Sequence, residues 1–289
     1  RLRLRIVDRR CCRAALGHAR VSTATATVQA PSLASADGAP SRSLSVGFLA
    51  MLPLLIAGEA ARAARPDAPA NAGELVLNLA LSPLRERATL ARWVVLALAA
   101  LIAWLIARRR KVALGAGIAR VILEGLGAAA LLGPLMVILV RSCSRWLPAL
   151  EVSWDPTAHP PSLIDTAFVF GAGPWEELLF RVGAYSFTYW LIVRFLGALD
   201  MSDRWARASA EFGALALSSL AFAAAHFEPV MRRFGVGGRA FDPALLAWLC
   251  LGGVLLGILF RWRGPGVAAW AHGLFNVALW IGVDPAVIW

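Results

Sequence analysis

The chain has 289 residues, of which 59% are hydrophobic and 16% are charged, and its mean hydropathy is +0.65. Ordinary soluble domains carry about 25% charged residues, so this composition excludes a soluble domain and predicts an integral, multi-pass membrane protein. The net charge of +11 would suit a nucleic-acid-binding protein. However, the arginines lie mainly between apolar runs, as anchors of membrane-flanking loops do, and we therefore expect no nucleic-acid partner.

The first third of the chain predicts one disordered segment and two membrane helices. Residues 1–42 are basic and then rich in Ser, Thr, Ala and Pro, without a sustained period. The apolar run 44–57 fits either a short first transmembrane helix or the core of a signal peptide. We favour the helix, because a multi-pass chain needs no cleavable signal. Residues 58–90 are predicted to be a loop with a short amphipathic piece at 75–81, and residues 91–107 to be a span.

The rest of the chain alternates apolar runs with polar connections. Residues 162–199 are too long for one span, since 38 residues at the helical rise cover about 57 Å. The sequence Gly-Ala-Gly-Pro at 171–174 predicts a break, with a new helix beginning near Pro174 and its first turn carrying Glu176 and Glu177. The other predicted helices cover 112–140, 211–226, 241–262 and 267–283. Together these patterns predict an all-α polytopic bundle of about six to eight membrane helices.

Three ionisable side chains stand close together in this apolar region: Glu176, Glu177 and Arg181. A charged side chain in lipid costs about 2.5–3.5 kcal/mol on insertion scales. We therefore expect these three residues to have a structural or functional role. Glu177 and Arg181 are four residues apart and can pair along one helix face. Glu176 points elsewhere. One carboxylate is therefore predicted to be neutralised and the other to be available for chemistry.

Two further polar islands follow on the next apolar helices. Phe222 and His226 share a face of one helix, and His272 and Asn276 share a face of another. Each pattern alone is weak, since a lone histidine in an apolar helix is more often a structural, hydrogen-bonded residue. Their joint occurrence predicts one common polar pocket, because separate burial of these groups in lipid would be costly. The predicted helix ends put Glu176 near one membrane surface and His272 about 8 Å in from the other, which makes that pocket hard to close.

The three motifs, EExxxR, FxxxH and HxxxN in this order, resemble the signature of the CAAX-protease and bacteriocin-processing (CPBP, or Abi) family of intramembrane proteases. The resemblance covers roughly residues 162–285. It divides the chain into the segment 1–42, N-terminal membrane helices at 43–111 and a protease core at 112–289. The resemblance implies an endopeptidase that hydrolyses a peptide bond of a membrane-associated protein or peptide, including prenylated CAAX-type substrates.

The residues permit hydrolysis by an activated water. Glu176, with His226, would hold and deprotonate the water, and His272 and Asn276 would donate hydrogen bonds to the oxyanion. Glu177 and Arg181 would be the supporting pair that fixes this geometry.

A zinc-dependent version would use Glu176, His226 and His272 as ligands, with water in the open position. The sequence contains no HExxH motif and no CxxC pair. We favour the metal-free mechanism, with no cofactor, and keep zinc as the alternative.

Two other functions would also bury such residues. A transporter or proton relay uses buried Glu, His and Arg, but the chain shows no duplicated half. A non-catalytic immunity or scaffold protein of the same family would not need the complete motif set. We therefore predict a protease of the bacterial cytoplasmic membrane, with the lipid bilayer and a membrane protein or peptide as its partners.

Overall fold

The computed structural model describes residues 43–66, 71–143, 162–234 and 238–282. Within these ranges the backbone is helical apart from short turns and an isolated bridge between Phe227 and Arg239. The predicted all-α membrane bundle is confirmed. In chain order its helices are α1 (Leu44–Ala64), α2 (Leu75–Leu81), α3 (Ala88–Arg109), α4 (Leu114–Cys143), α5 (Leu163–Glu176), α6 (Ser186–Ala198), α7 (Asp203–Ala224), α8 (Glu228–Met231), α9 (Pro243–Arg263) and α10 (Pro265–Gly282).

Four stretches of the described chain are long and apolar enough to cross a membrane by length and composition. They are Leu44–Ala64, Ala72–Arg109, Leu114–Met136 and Pro243–Arg263. Every predicted apolar helix overlaps a helix of the structure. The total of about six to eight spans stays a prediction.

The predicted helix break at 171–174 is wrong. The backbone is helical from Leu163 to Ala198, through α5, a π-helical segment at Glu177–Tyr185 and α6. Pro174 lies inside α5 and leaves the carbonyl of Phe170 without its helical N–H donor. Gly273 of α10 lies against this carbonyl. The small residues before Pro174 thus allow α1 and α10 to pack closely against α5, and they do not end the helix.

Glycines set how closely the central helices approach each other. Gly58 of α1 lies on the backbone of Gly171 in α5, and Gly173 lies on the backbone of Gly273 in α10. In each pair a Cβ atom would overlap the neighbouring main chain. Because α5 packs against both α1 and α10, it forms the centre of the bundle.

The loop predicted at 58–90 is only partly correct. α1 continues to Ala64, and the short amphipathic piece predicted at 75–81 forms the helix α2. Two 3₁₀ turns, Ala72–Glu74 and Ser82–Arg87, flank α2 and connect it to α3. The described part from residue 71 to 87 is therefore mostly helical, and its contacts include the candidate site described below.

Some predictions concern residues outside the described ranges. These are the disorder predicted for residues 1–42 and most of the polar loop at 141–161. The division of the chain at residues 42 and 111 also stays a prediction.

Gly171→Leu is expected to destabilise the bundle by about 2 kcal/mol or more, because the new side chain must enter the backbone contact with Gly58. Gly127→Leu is the matched control, since Gly127 is an exposed residue of α4 with no neighbour near its missing Cβ. Thermal unfolding in detergent micelles measures both effects. Equal midpoints for the two variants would contradict the proposed close packing of α1 on α5.

Candidate active site

The structure brings the three sequence islands together at the centre of the bundle. Glu176 is the last residue of α5, and Glu177 and Arg181 lie in the π-helical segment that follows. Since α5 begins at Leu163, Glu176 lies about 20 Å along this continuous helix and not at its start. His272 lies inside α10, and the close contact of Gly173 with Gly273 brings it beside the two carboxylates. The corrected helix boundaries therefore remove the difficulty of closing the pocket.

Glu177 is fully buried and has two charged or polar neighbours. Its Oε1 accepts a hydrogen bond from Nδ1 of His272 at 2.9 Å, and its Oε2 lies 3.5 Å from Nε of Arg181. The i,i+4 ion pair predicted from the sequence is thus present, although the segment is π-helical and the contact lacks hydrogen-bond geometry. His272 consequently carries a proton on Nδ1, since a carboxylate can only accept.

Arg181 has no exposed surface and is held from several sides. Its Nη2 donates a hydrogen bond to the carbonyl oxygen of Gly253 in α9 at 3.0 Å. Its guanidinium lies over the ring of Phe222, with 4.7 Å between Cζ and the ring centroid. Arg181 therefore links the helix that carries the carboxylates to α7 and α9.

The second carboxylate, Glu176, faces both imidazoles. Its Oε2 lies 3.4 Å from Nε2 of His272, and its Oε1 lies 4.0 Å from Nε2 of His226. The Nδ1 of His226 is 2.8 Å from the carbonyl oxygen of Phe222, so Nδ1 is the protonated nitrogen of this ring. In its neutral form, His226 therefore presents the lone pair of Nε2 toward Glu176.

His226 is more exposed to the surroundings than the other side chains that meet at Glu176. The side chain of His226 is 22% exposed, against 5% for Glu176 and 4% for His272. His226 follows the end of α7, and the chain folds back over it, with the Arg239 N–H donating to the His226 carbonyl. The surface near His226 is thus the most accessible edge of the site.

Asn276 stands apart from this group. It is half-buried in α10, one turn after His272, and among the described residues its side chain makes no hydrogen bond to Glu176, Glu177 or the two histidines. Five of the six predicted site residues are therefore linked by pairwise contacts through Glu176 and Glu177, and Asn276 makes none of these contacts.

The fit of a metal ion can be tested on the same residues. Within the described ranges, no group of three or more histidine, cysteine or carboxylate side chains is arranged to hold a metal ion. The histidine Nδ1 atoms are engaged by Phe222 and Glu177, and only the Nε2 atoms face Glu176. The steps proposed below are derived for this chain's own residues alone.

Sequence reasoning missed one part of the surroundings. Trp175, next to Glu176, donates from Nε1 to Glu59 of α1 at 3.1 Å, and Gly73 lies on the backbone of Trp175 and Glu176. No motif or regular spacing joins these residues. The available signal was that Glu59 and Arg92 are ionisable residues at the edges of apolar runs, where each needs a partner.

Comparison with protein families gives one match. Residues 160–278 match the family model described as type II CAAX prenyl endopeptidase Rce1-like. This stretch is less than half of the chain, and it is similar to the Rce1-like family. The match is consistent with the CPBP family predicted from the motifs and indicates a protease, that is, a hydrolase in the membrane. No curated protein and no solved structure matches the chain. α1, α2 and α3 lie outside the Rce1-like stretch.

Arg181→Met is expected to destabilise the Rce1-like core by about 3–5 kcal/mol, because it leaves the buried Glu177 without its guanidinium. Arg120→Met is a matched control, since Arg120 and Glu124 form another i,i+4 pair but the Arg120 side chain is 48% exposed. That loss should stay below about 1 kcal/mol. Thermal unfolding of both variants in micelles makes the comparison, and a similar loss in both would refute the buried pairing.

Proposed function

We propose that the protein cleaves a peptide bond near the C-terminus of a membrane-associated, prenylated CAAX-type protein or peptide, using a water activated by Glu176 and His226. The observation that carries the proposal is the position of the Glu176 carboxylate between the Nε2 atoms of two imidazoles. The Rce1-like match supports the class of reaction and the class of substrate. We place the protein in the bacterial cytoplasmic membrane as part of the same proposal.

The first step is deprotonation of water. A water between Glu176 Oε1 and His226 Nε2, which are 4.0 Å apart, can donate one hydrogen to each. Glu176 takes the proton as the oxygen attacks the scissile carbonyl carbon, and it later gives that proton to the leaving amine. His226 holds the water and is itself held by the Phe222 carbonyl. The partial exposure of His226 leaves this side of the site open to a substrate.

The second step is stabilisation of the oxyanion. With Nδ1–H directed at Glu177, His272 can donate to an oxyanion only if Nε2 also carries a proton. Two adjacent carboxylates, Glu176 and Glu177, would balance the charge of such an imidazolium. Asn276 would supply a second donor from the next turn of α10, once substrate is bound. Losing one donor of this kind typically costs about 10²–10³ in rate.

Glu177 and Arg181 act through other groups. Glu177 fixes the ring of His272 through its Nδ1, and Arg181 neutralises Glu177 while linking α9 to the site. If Nε2 of His272 carries the proton that the oxyanion step requires, one guanidinium and one imidazolium face two carboxylates, and these charges cancel. This balance would lower the cost of placing the group in a lipid environment.

Glu176→Gln is expected to abolish cleavage while leaving the fold intact, because the amide has the same shape but accepts no proton. His226→Ala should also remove most activity. Mass spectrometry of a farnesylated peptide ending in a CAAX sequence, incubated with protein in proteoliposomes, measures the products. Glu124→Gln, a carboxylate outside the site, serves as the control.

Retention of cleavage by Glu176→Gln would exclude Glu176 as the base. If the wild-type protein leaves the prenylated peptide intact, the C-termini of membrane proteins from cells with wild-type or Glu176→Gln protein can be compared. Differences there would support another membrane substrate for the same site. No difference would favour a non-catalytic or transport role.

Chelators are expected to leave the activity unchanged, because the proposed steps require no metal ion. The zinc content of purified active protein, measured by elemental analysis, should be well below one ion per chain. Stoichiometric zinc, with activity lost on chelation and restored by Zn²⁺, would instead support the zinc-dependent version that uses Glu176, His226 and His272.

A further inference from the structure

A second group of buried charges lies outside the Rce1-like stretch. Glu59 of α1, Glu74 of the Ala72–Glu74 turn and Arg92 of α3 are each at most 5% exposed. Arg92 Nη2 donates to Glu59 at 2.6 Å and to Glu74 at 2.5 Å, and its Nε donates to Glu59 at 2.7 Å. Arg62 of α1 also pairs with Glu74. Among the described residues, these two carboxylates and two guanidiniums form one group, which we call the N-terminal ion cluster.

The N-terminal ion cluster holds one short turn in place. The side chain of Asn71 accepts from the Glu74 N–H at 2.9 Å, and the Glu74 side chain accepts from the Asn71 N–H at 3.1 Å. This reciprocal capping box closes residues 71–74 into a compact unit. Since Glu74 also binds Arg62 and Arg92, the turn is tied to both α1 and α3.

The turn lies against α5, which carries Glu176, and against the end of α7, which precedes His226. Gly73 packs so closely on the backbone of Trp175 and Glu176 that no Cβ atom fits there. Ala72 is 3% exposed and packs with Phe222 and Ala225 of the segment that leads to His226. The turn therefore lies between the backbone of Glu176 and the end of α7.

A second connection links the N-terminal ion cluster to Trp175, the residue before Glu176. The indole Nε1 of Trp175 donates to Glu59, a member of the N-terminal ion cluster, and the Arg92 guanidinium lies 5.8 Å from the Trp175 ring centroid. The residue before Glu176 is thus anchored to the same cluster that holds the turn.

We propose that the 71–74 turn and the N-terminal ion cluster position the Glu176 carboxylate relative to His226. Gly73, Glu74 and Arg92 are positioning residues: they touch neither water nor substrate but fix the 4.0 Å separation of Glu176 Oε1 and His226 Nε2. The assignment rests on the proposed function, because it explains how this geometry is maintained during catalysis. It gives α1 and α3, which lie outside the Rce1-like stretch, an indirect part in the reaction through the position of Glu176.

Two substitutions disturb the 71–74 turn and the N-terminal ion cluster in different ways. Gly73→Ala introduces a Cβ that pushes the turn off Glu176, and Glu74→Gln removes one charge from the N-terminal ion cluster at almost constant shape. Displacing a reacting group by about 1 Å can cost about 10²-fold in rate. We therefore expect kcat for the farnesylated CAAX peptide to fall between about tenfold and a hundredfold in both variants, with KM changed less than about twofold.

Each variant has a matched control elsewhere in the chain. Gly127→Ala adds a Cβ at an exposed position of α4 with nothing near it. Glu211 lies on α7, away from His226, and its carboxylate pairs with Arg261 and Tyr185. Glu211→Gln removes the charge of this carboxylate. Both controls should keep the wild-type kcat. If Glu74→Gln does not fold, the charge-balanced double variant Arg62→Gln/Glu74→Gln takes its place.

A second readout needs no substrate. The chain has four histidines, and ¹⁵N-imidazole labelling with His226→Ala as the assignment reference identifies the signal of His226. The ¹⁵N shifts of this ring depend on what faces its Nε2 atom. We expect Gly73→Ala and Glu74→Gln to shift the His226 signal, and Gly127→Ala and Glu211→Gln to leave it unchanged.

The two readouts separate the two claims. A shifted His226 signal in a protein that cleaves no probe would support the positioning role and count against the proposed function. Unchanged kcat together with an unchanged His226 signal would overturn the positioning role. A lower unfolding temperature with wild-type kcat would also overturn it, since it would show that the turn only stabilises the fold.

Discussion

The structure depends on pairing buried carboxylates with cationic or N–H groups inside the helix bundle. Glu177 has no exposed surface, and its charge is met by Arg181 on one oxygen and by the His272 N–H on the other. Without these partners a carboxylate would cost several kcal/mol in a lipid environment. Because the partners come from the π-helical segment and from α10, satisfying Glu177 also aligns these elements. That alignment puts Glu176, its neighbour in the chain, beside the imidazole of His272.

A second group of buried, paired carboxylates lies among the described helices. The N-terminal ion cluster pairs Glu59 and Glu74 with Arg62 and Arg92, as the site pairs its own carboxylates with Arg181 and His272. Glycine contacts between backbones join the two groups, because Gly73 lies on Glu176 and Gly173 lies on Gly273. Close backbone contact leaves little freedom for the carboxylate between them. A rigid, charge-balanced setting of this kind is what catalysis by electrostatic preorganisation requires.

The sequence was sufficient to predict the membrane bundle and to select polar residues that lie together at its centre. Long apolar runs predict membrane helices directly, and charged residues within such runs need a common pocket. The i,i+4 spacing also predicted the pairing of Glu177 with Arg181, which survives in the π-helical geometry. The break at 171–174 was predicted wrongly, because the spacing of Gly171, Gly173 and Pro174 is the same in a turn and in a close helix contact. Only the packed neighbours, Gly58 and Gly273, distinguish the two.

The N-terminal ion cluster could not be predicted from local pattern. Glu59 and Arg92 are 33 residues apart, and Glu74 and Arg92 are 18 apart, so no helical or strand period joins them. Their partnership follows from the packing of α1 against α5 and of α3 against α1, which is set by side-chain shape over the whole bundle. For the same reason the neighbours of Trp175 were missed.

The central claim is that the Glu176 carboxylate lies between two imidazole Nε2 atoms and holds the reacting water with His226. An experimental structure of the protein in lipid nanodiscs, at a resolution that shows ordered water, tests this most directly. The account predicts both Nε2 atoms directed at the Glu176 carboxylate and a water bound between Glu176 Oε1 and His226 Nε2. Imidazoles turned away from Glu176, with apolar side chains or lipid between them, would contradict it.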